Sequence, residues 1–194
     1  MEDKVELKVV GLSKGLVQAH AYVLLLEEVD GNRRLPVIVG ASEAQSIALA
    51  LKGLHPPRPF THDLFVSLCH TCSIRLDYVY IYKVLDGVFY AYIYFTADGV
   101  QHFLDSRTSD AVALALRFRV PVYTSAQIVA SECVDWKDGV AVSVPITAIT
   151  MEKLKETLQQ AVEEENYELA SLVRDEISRR KQGELAPDDD VINL

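Results

Sequence analysis

A pattern that occurs twice constrains the fold of this chain more than any other feature. In each copy, two strand-like segments are followed by a third, "RRLPVIVG" or "VQHFLDS", and then by an apolar helical segment. Ser42-Glu43-Ala44 and Ser109-Asp110-Ala111 lie 67 residues apart, and Asp30-Gly31 and Asp98-Gly99 lie 68 apart. An internal duplication explains this spacing. The sequence therefore predicts an α+β fold in which duplicated strand-strand-strand-helix units form a mixed or antiparallel sheet core.

The two helices that end these units are predicted to begin in the same way. Ser42 is the expected N-cap of "ASEAQSIALALKGL", with Gln45 completing a capping box, and Ser109 is the expected N-cap of "SDAVALALRF". Glu43 and Asp110 then occupy equivalent first-turn positions. In the simpler interpretation, each carboxylate stabilises its helix by about 0.3–1 kcal/mol through its interaction with the helix dipole. In the other, the two units pack together and the two carboxylates face a shared cleft.

The last 44 residues differ in character from the rest. The segment 151–182, rich in helix formers, carries one apolar stripe at Leu154, Leu158 and Val162, and a second at Leu169, Ala170, Val173 and Ile177. This pattern predicts an antiparallel helical hairpin. We expect a core domain over residues 1–145, this hairpin over 151–182, and an acidic, mobile tail over 183–194. About 30 residues cannot bury both stripes alone, so a partner surface or a second copy is expected.

Net charge and hydropathy argue against some classes of function. The 194-residue chain has a formal net charge of −9, with 13 basic and 16 acidic side chains in residues 1–150 and 6 and 12 in residues 151–194. Neither part has the basic footprint of a protein that binds nucleic acid by releasing counterions. No apolar run reaches the roughly 18 residues of a membrane span, and the N-terminus lacks a hydrophobic signal region. The sequence predicts a cytoplasmic protein with no membrane interaction.

Cysteines and tyrosines admit more than one interpretation. Cys69 and Cys72 form a C-x-x-C pair after an apolar run, and with Cys133 they are expected to be buried, reduced structural thiols, with redox or metal roles as the alternative. Six tyrosines alternate along one face of a hairpin: Tyr78, Tyr80, Tyr82, Tyr90, Tyr92 and Tyr94. Such a face can stack nucleic-acid bases, stabilise the sheet, or form an oligomer interface.

Three motifs in order resemble a known family. "GASEAQSIALAL", "PRPFTHDLF" and "LDSRTSDAVALALRFRVPVY" place residues 5–140 close to the bifunctional nuclease (BFN) domain family of bacteria and plants. The resemblance implies nuclease activity on DNA and RNA, and an α+β fold with duplicated strand–helix units. Residues 151–180, through "ENYELASLVRDEI", resemble the UVR motif of nucleotide-excision-repair subunits B and C. That motif implies a protein-interaction element that pairs with another such hairpin.

Candidate site residues follow from the matching motifs and the chemistry of phosphodiester hydrolysis. Carboxylate-bound Mg²⁺ or Mn²⁺ can activate water and stabilise charge at phosphorus. Arg107 is the candidate phosphate clamp, Ser109 a phosphate ligand at a helix N-terminus, and His62 the general base or a metal ligand. The candidate metal ligands are Glu43, Asp63, Asp105 and Asp110.

A structural interpretation of the same residues stays open. His62 and Asp63 can cap the second predicted helix, "THDLFVSLCHTC", and Arg107 can hold the two units together through ion pairs. The sequence thus supports two functional hypotheses. One is a metal-dependent nuclease of low sequence specificity that uses its UVR hairpin to bind a protein partner. The other is a non-enzymatic oligomeric module that binds a ligand or a partner. In either case a homodimer is expected.

Overall fold

A computed structural model describes residues 4–14, 21–135, 151–163 and 167–183 of the chain. The first unit consists of β1 (Lys4–Lys14), β2 (Ala21–Glu28), β3 (Arg33–Gly40), α1 (Ala41–Leu51) and α2 (Thr61–Thr71). The second consists of β4 (Arg75–Leu85), β5 (Val88–Ala97), β6 (Val100–Arg107), α3 (Thr108–Phe118), β7 (Val122–Ser125) and α4 (Ala126–Glu132). β8 (Val134–Asp135), α5 (Met151–Glu163) and α6 (Tyr167–Gly183) follow. The predicted α+β class, with two strand-strand-strand-helix units and a C-terminal helical hairpin, is confirmed.

The strands form a single mixed sheet in the order β6-β5-β4-β7-β1-β2-β3-β8. Both units form antiparallel three-stranded halves, and β7 joins them by pairing parallel with β4 and antiparallel with β1. The turns Asp86-Gly87 and Asp98-Gly99 connect paired strands of the second unit, with positive φ at both residues of each turn. This conformation matches the twist of a hairpin and favours Asp-Gly sequences. The short elements β7, α4 and β8 were not predicted from the sequence.

One face of the sheet packs against the helices of both units. Side chains alternate along the strands, so that Leu24, Leu26, Val79 and Ile81 point into one apolar core together with residues of α1 and α3. α4 contributes Ile128 to the same core. Because α1 and α3 both pack on this face, the two units share a single hydrophobic interior.

The other face of the sheet is divided into two parts. The helical hairpin α5/α6 covers β2 and β3, where Leu154, Val173 and Ile177 pack against Val23 and Leu25 in a second apolar cluster. The partner surface expected for the hairpin is therefore the sheet of its own chain. Val162, predicted to belong to the buried stripe, is 52% exposed, and the neighbouring Ala161 is buried instead. The predicted acidic tail beyond residue 183 and the boundary at Pro145 lie outside the described residues.

The second part of this face is the aromatic face of β4, β5 and β6. Its rings stack across strands, with centroids 4.4 Å apart for Tyr78 and Tyr94 and 3.9 Å apart for Tyr82 and Tyr92. The Lys4 ammonium lies 4.4 Å from the centroid of the Tyr78 ring. The rings stack on one another, which is the arrangement expected if they stabilise the sheet.

The three cysteines are free thiols, but they do not share one environment. Cys69 is buried and Cys133 half-buried, and burial raises the pKa of Cys69 and that of Cys133, the latter to about 12. These two thiols stay protonated at neutral pH. Cys72 is exposed, so the prediction that all three are buried is wrong at this position. It is the C-cap residue of α2, where the helix leaves the core.

Candidate functional site

The starts of α1 and α3 are equivalent, although not at the residues predicted. Gly40 and Arg107 are the N-caps, and neither forms a side-chain capping hydrogen bond. The predicted caps Ser42 and Ser109 are wrong by two residues, because β3 and β6 run directly into their helices without a connecting loop. Glu43 and Asp110 therefore each stand third in their helix, 67 residues apart.

Arg107 joins these two carboxylates. Its Nε donates to Asp110 Oδ2 at 2.7 Å and its Nη2 to Asp110 Oδ1 at 3.1 Å, while Nη2 also lies 3.1 Å from Glu43 Oε1. Hydrogen bonding and charge attraction from Asp110, with a smaller contribution from Glu43, raise the pKa of Arg107. The guanidinium side chain is nevertheless 68% exposed. It is thus anchored at the junction of the two units and still open to solvent.

His62, at the start of α2, completes this group. Its Nε2 lies 3.2 Å from Asp110 Oδ1, and its Nδ1 lies 2.9 Å from the hydroxyl of Ser46 on α1. An ionised aspartate only accepts hydrogen bonds, so with Asp110 ionised, Nε2 carries the proton and Nδ1 accepts from Ser46. Ser46 is itself buried. We call Glu43, Ser46, His62, Arg107 and Asp110 the junction cluster, since its members link α1, α2 and α3.

Asp63 follows His62 but faces another partner. It accepts a hydrogen bond from the Phe60 backbone N–H at 2.9 Å and one from Arg117 Nε at 2.7 Å. Burial alone raises the pKa of Asp63, but the hydrogen bonds from Arg117 and Phe60 outweigh it and leave that pKa below its ordinary value. The predicted capping role of this residue is therefore present in the structure. Arg117 also donates to the Ser46 carbonyl at 3.4 Å, which connects Asp63 to the junction cluster.

Asp105 and Ser109, like Asp63, are predicted site residues that lie outside the junction cluster. Asp105 accepts a hydrogen bond from Tyr82 Oη at 3.0 Å, on the aromatic face of the sheet. The hydrogen bond with Tyr92, burial, and then Asp105 raise the pKa of Tyr82, so this phenol stays protonated. Ser109 is the second residue of α3 and is buried. Ser109 lies in the first turn of α3, and the roles suggested for both residues stay predictions.

The arrangement can be compared with the requirements of a bound divalent ion. Among the described residues, no three His, Cys, Asp or Glu side chains are grouped so that they could hold a metal. Asp63 and Asp105 are turned to other partners, and Arg107 already supplies the positive charge between Glu43 and Asp110. As placed here, the predicted ligands do not fit a bound Mg²⁺ or Mn²⁺.

Two residues of this region were not singled out from the sequence. Ser46 sits one turn after Glu43 inside an apolar helical run, and Arg117 is the basic residue that interrupts "AVALALRF". A polar side chain on the buried face of a helix needs a hydrogen-bonding partner, which is the signal that points to both. Each partner comes from a different helix, so it could not be named from the sequence.

The sequence models of two known families match this chain. The sequence model of the bifunctional nuclease domain matches residues 24–137. The chain belongs to the bifunctional nuclease domain family. The UvrB/uvrC motif matches residues 150–182, which include the α5/α6 hairpin. The junction cluster and the aromatic face both lie within the bifunctional nuclease domain.

The curated relatives of this chain are themselves uncharacterized. Uncharacterized proteins from two strains of Mycobacterium tuberculosis are each 39% identical to this chain over 125 residues. The aligned part is 64% of this chain and 74% of each relative. No helix in the described part of this bifunctional nuclease domain protein is long and apolar enough to cross a membrane.

Proposed function

We propose that this protein is a nuclease that hydrolyses phosphodiester bonds in DNA and RNA with low sequence specificity. Its membership of the bifunctional nuclease domain family supports the reaction class. The observation that carries the proposal is Arg107, an exposed guanidinium held at the junction of the two duplicated units by Glu43 and Asp110. Its Nε and Nη2 are occupied by the two carboxylates, which leaves Nη1 to donate charge-assisted hydrogen bonds to a phosphate oxygen.

The other members of the junction cluster have complementary roles in this proposal. Arg107 binds the phosphate and stabilises the charge that develops at phosphorus. Asp110, which accepts a hydrogen bond from His62 Nε2–H, is the carboxylate next to it that can accept a proton from the attacking water. Ser46 and Glu43 hold the imidazole and the guanidinium in place. The residues do not fit a bound ion, so no catalytic step is assigned to one. The predicted requirement for Mg²⁺ or Mn²⁺ is therefore tested in the cleavage assay.

A cleavage assay with a matched pair of variants tests this function. Labelled single-stranded DNA and RNA are incubated with the full chain in Mg²⁺, Mn²⁺ or EDTA. We expect Arg107→Ala to lower the cleavage rate at least tenfold, since one charge-assisted contact contributes about 1.5–3 kcal/mol. Arg75→Ala, which removes an equally exposed arginine paired with Asp77 elsewhere on the sheet, leaves the rate unchanged. Loss of cleavage in EDTA would support the divalent-ion requirement.

The same assay separates the nuclease from the alternative, a non-enzymatic oligomeric module. That alternative is favoured by one observation: the junction cluster satisfies its own hydrogen bonds and charges without a ligand. Cleavage that is equal in Arg107→Ala and in the unmodified chain would exclude the junction cluster as the site. If no preparation cleaves either substrate, the nuclease proposal fails and the module is the better account.

We further propose that the UVR hairpin binds a protein partner through its outer face. Its inner apolar stripe is buried on β2 and β3, whereas Val162, Tyr167 and Leu172 remain exposed. Exposed apolar side chains on a helix pair are typical of an interaction surface. The partner therefore contacts the hairpin without displacing it from the sheet.

A further inference from the structure

A cavity of about 390 Å³ lies at the opposite end of α3 from the junction cluster. It is bounded by the ends of α1 and α3, by α2 and by the proline-rich loop between α1 and α2. Leu116, the first residue of α3 in the lining, lies nine positions after Arg107, a rise of roughly 14 Å at 1.5 Å per residue, whereas Asp63 in the lining directly follows His62 of the junction cluster. Its volume lies within the range of about 300–1,000 Å³ that small-molecule sites occupy.

The walls of this cavity are mostly apolar. Pro56 and Pro59 contribute flat rings from the loop, and Leu54, Val66 and Leu116 contribute aliphatic surface from the surrounding elements. Leu54 is 54% exposed although its side chain is large and apolar. Flat, apolar walls of this kind favour a planar ring system that is removed from water on binding.

The charge of the cavity comes from a small set of polar residues. Asp63 and Arg117 line it but neutralise one another through the 2.7 Å hydrogen bond, and the Arg117 side chain is only 9% exposed. His55 also lines the cavity and lies close enough to attract Asp63 electrostatically. The buried ion pair therefore leaves the net charge to be set by the remaining cation, Arg119.

Arg119 is exposed at the mouth of the cavity and forms no ion pair or hydrogen bond through its side chain with the described residues. It directly follows α3, with φ 56° and ψ 44°, a left-handed conformation that favours glycine. Arg119 thus adds to the cavity lining a guanidinium that has no ion-pair partner among the described residues. A guanidinium next to apolar walls suits a ligand with a phosphate at one end and a ring at the other.

We propose that this cavity binds a nucleoside monophosphate, with the base against the proline-lined walls and the phosphate on Arg119. His55 lies beside the phosphate as a second donor. The site is distinct from the junction cluster, and binding there does not require that the protein cleave nucleic acid. In a nuclease, the same site would retain a mononucleotide product or the end of a substrate strand.

Titration calorimetry on the full chain tests the proposal, with AMP as the probe and adenosine and inorganic phosphate as its separate halves. We expect AMP to bind at least tenfold more tightly than either half. Arg119→Gly removes the guanidinium and suits the left-handed backbone, so it folds and weakens AMP binding at least tenfold. Leu54→Glu, a change at an exposed position, adds a repelling carboxylate and has the same effect. Arg75→Ala, which removes an exposed arginine that lies outside the cavity, binds AMP as the unmodified chain does.

Four results would overturn it. These are equal AMP affinity in the unmodified chain and Arg119→Gly, phosphate binding as tight as AMP binding, loss of AMP binding in Arg75→Ala, and no heat from AMP at millimolar concentration. If AMP gives no heat, the titration is repeated with CMP, because its pyrimidine base is smaller than adenine. AMP binding in a protein that fails the cleavage assay would support this site while the proposed nuclease function fails, so the two results are distinguishable.

Discussion

At the residue scale, one arginine and one histidine decide how the duplicated helix starts are used. Glu43 and Asp110 are the acidic first-turn residues expected of any helix, and each complements its own dipole. Arg107 converts them into a connected group, because a single guanidinium contacts both. His62 adds the third helix. The sequence allowed two interpretations of Glu43 and Asp110, helix stabilisation and a shared cleft. The same two carboxylates can serve both.

The pH dependence of stability follows from Asp63. Because its folded-state pKa lies below that of the unfolded chain, the unfolded state takes up the proton first as the pH falls. The contribution of Asp63 is thus fully present above the unfolded pKa of about 3.9 and is lost as the pH falls through the folded value. We expect Asp63→Asn to be less stable than the unmodified chain at pH 7, with the difference shrinking toward pH 3.

Urea unfolding from pH 7 to pH 3 measures this difference. Asp98→Asn is the matched control, since Asp98 lies in an exposed turn between β5 and β6. A constant difference between Asp63→Asn and the unmodified chain at all pH values would show that the charge of Asp63 contributes nothing and that only its shape matters.

At the element scale, the helical hairpin is the part whose surroundings could not be read from its own sequence. Its apolar stripe was expected to need a partner, and the partner proves to be β2 and β3. Val173 is fully buried in this contact, whereas the preceding residue, Leu172, is 58% exposed. The boundary between the docked face and the outer face of α6 therefore falls between these two adjacent residues.

Val173→Asp is expected to release the hairpin from the sheet. The change removes apolar burial worth about 1.5–3 kcal/mol and places a carboxylate where it has no partner. Hydrogen exchange of α5 and α6 should accelerate strongly, while α1 and α3 stay protected. Leu172→Asp makes the same substitution one position away and should leave exchange as it was. Equal exchange in both variants would show that the hairpin is not held by this cluster.

At the scale of the whole molecule, the edge of the sheet bears on the oligomeric state. β6 is the outermost strand, and its side chains Val100, Phe103 and Leu104 are all at least half exposed. An edge strand with exposed apolar residues is a ready template for pairing with another strand. The predicted homodimer is therefore expected to form through β6, next to the aromatic face. The apolar stripe of the hairpin no longer argues for it, since β2 and β3 cover that stripe.

Sedimentation velocity at micromolar concentration tests this prediction. The unmodified chain should sediment as a dimer, and Phe103→Asp should shift it to a monomer, because a charge on the edge strand opposes pairing. Leu172→Asp, an equally exposed apolar position on the hairpin, should remain dimeric. A monomeric unmodified chain, or a dimer that survives Phe103→Asp but not Leu172→Asp, would contradict pairing through β6.

Sequence alone determined the parts of this protein that depend on local periodicity and turn chemistry. The alternation of apolar residues, the Asp-Gly turns and the 67-residue spacing predicted two strand-strand-strand-helix units, and helix formers with two apolar stripes predicted the hairpin. The alternation, the turns and the stripes each lie within a short stretch of chain, and the 67-residue spacing compares two such stretches, so all can be recognised without knowledge of the fold. The short strand β7 escaped prediction because four residues carry too little periodicity.

Only the tertiary structure decided which of the candidate residues meet. Asp105 and Arg107 are two positions apart in the chain, yet Asp105 contacts Tyr82 on the aromatic face and Arg107 contacts Glu43 and Asp110 at the helix starts. Ser46, His62 and Asp110 come from three helices and are joined only because α1, α2 and α3 pack on one face of the sheet. Such contacts depend on packing between elements distant in the chain, and a linear pattern does not specify that packing.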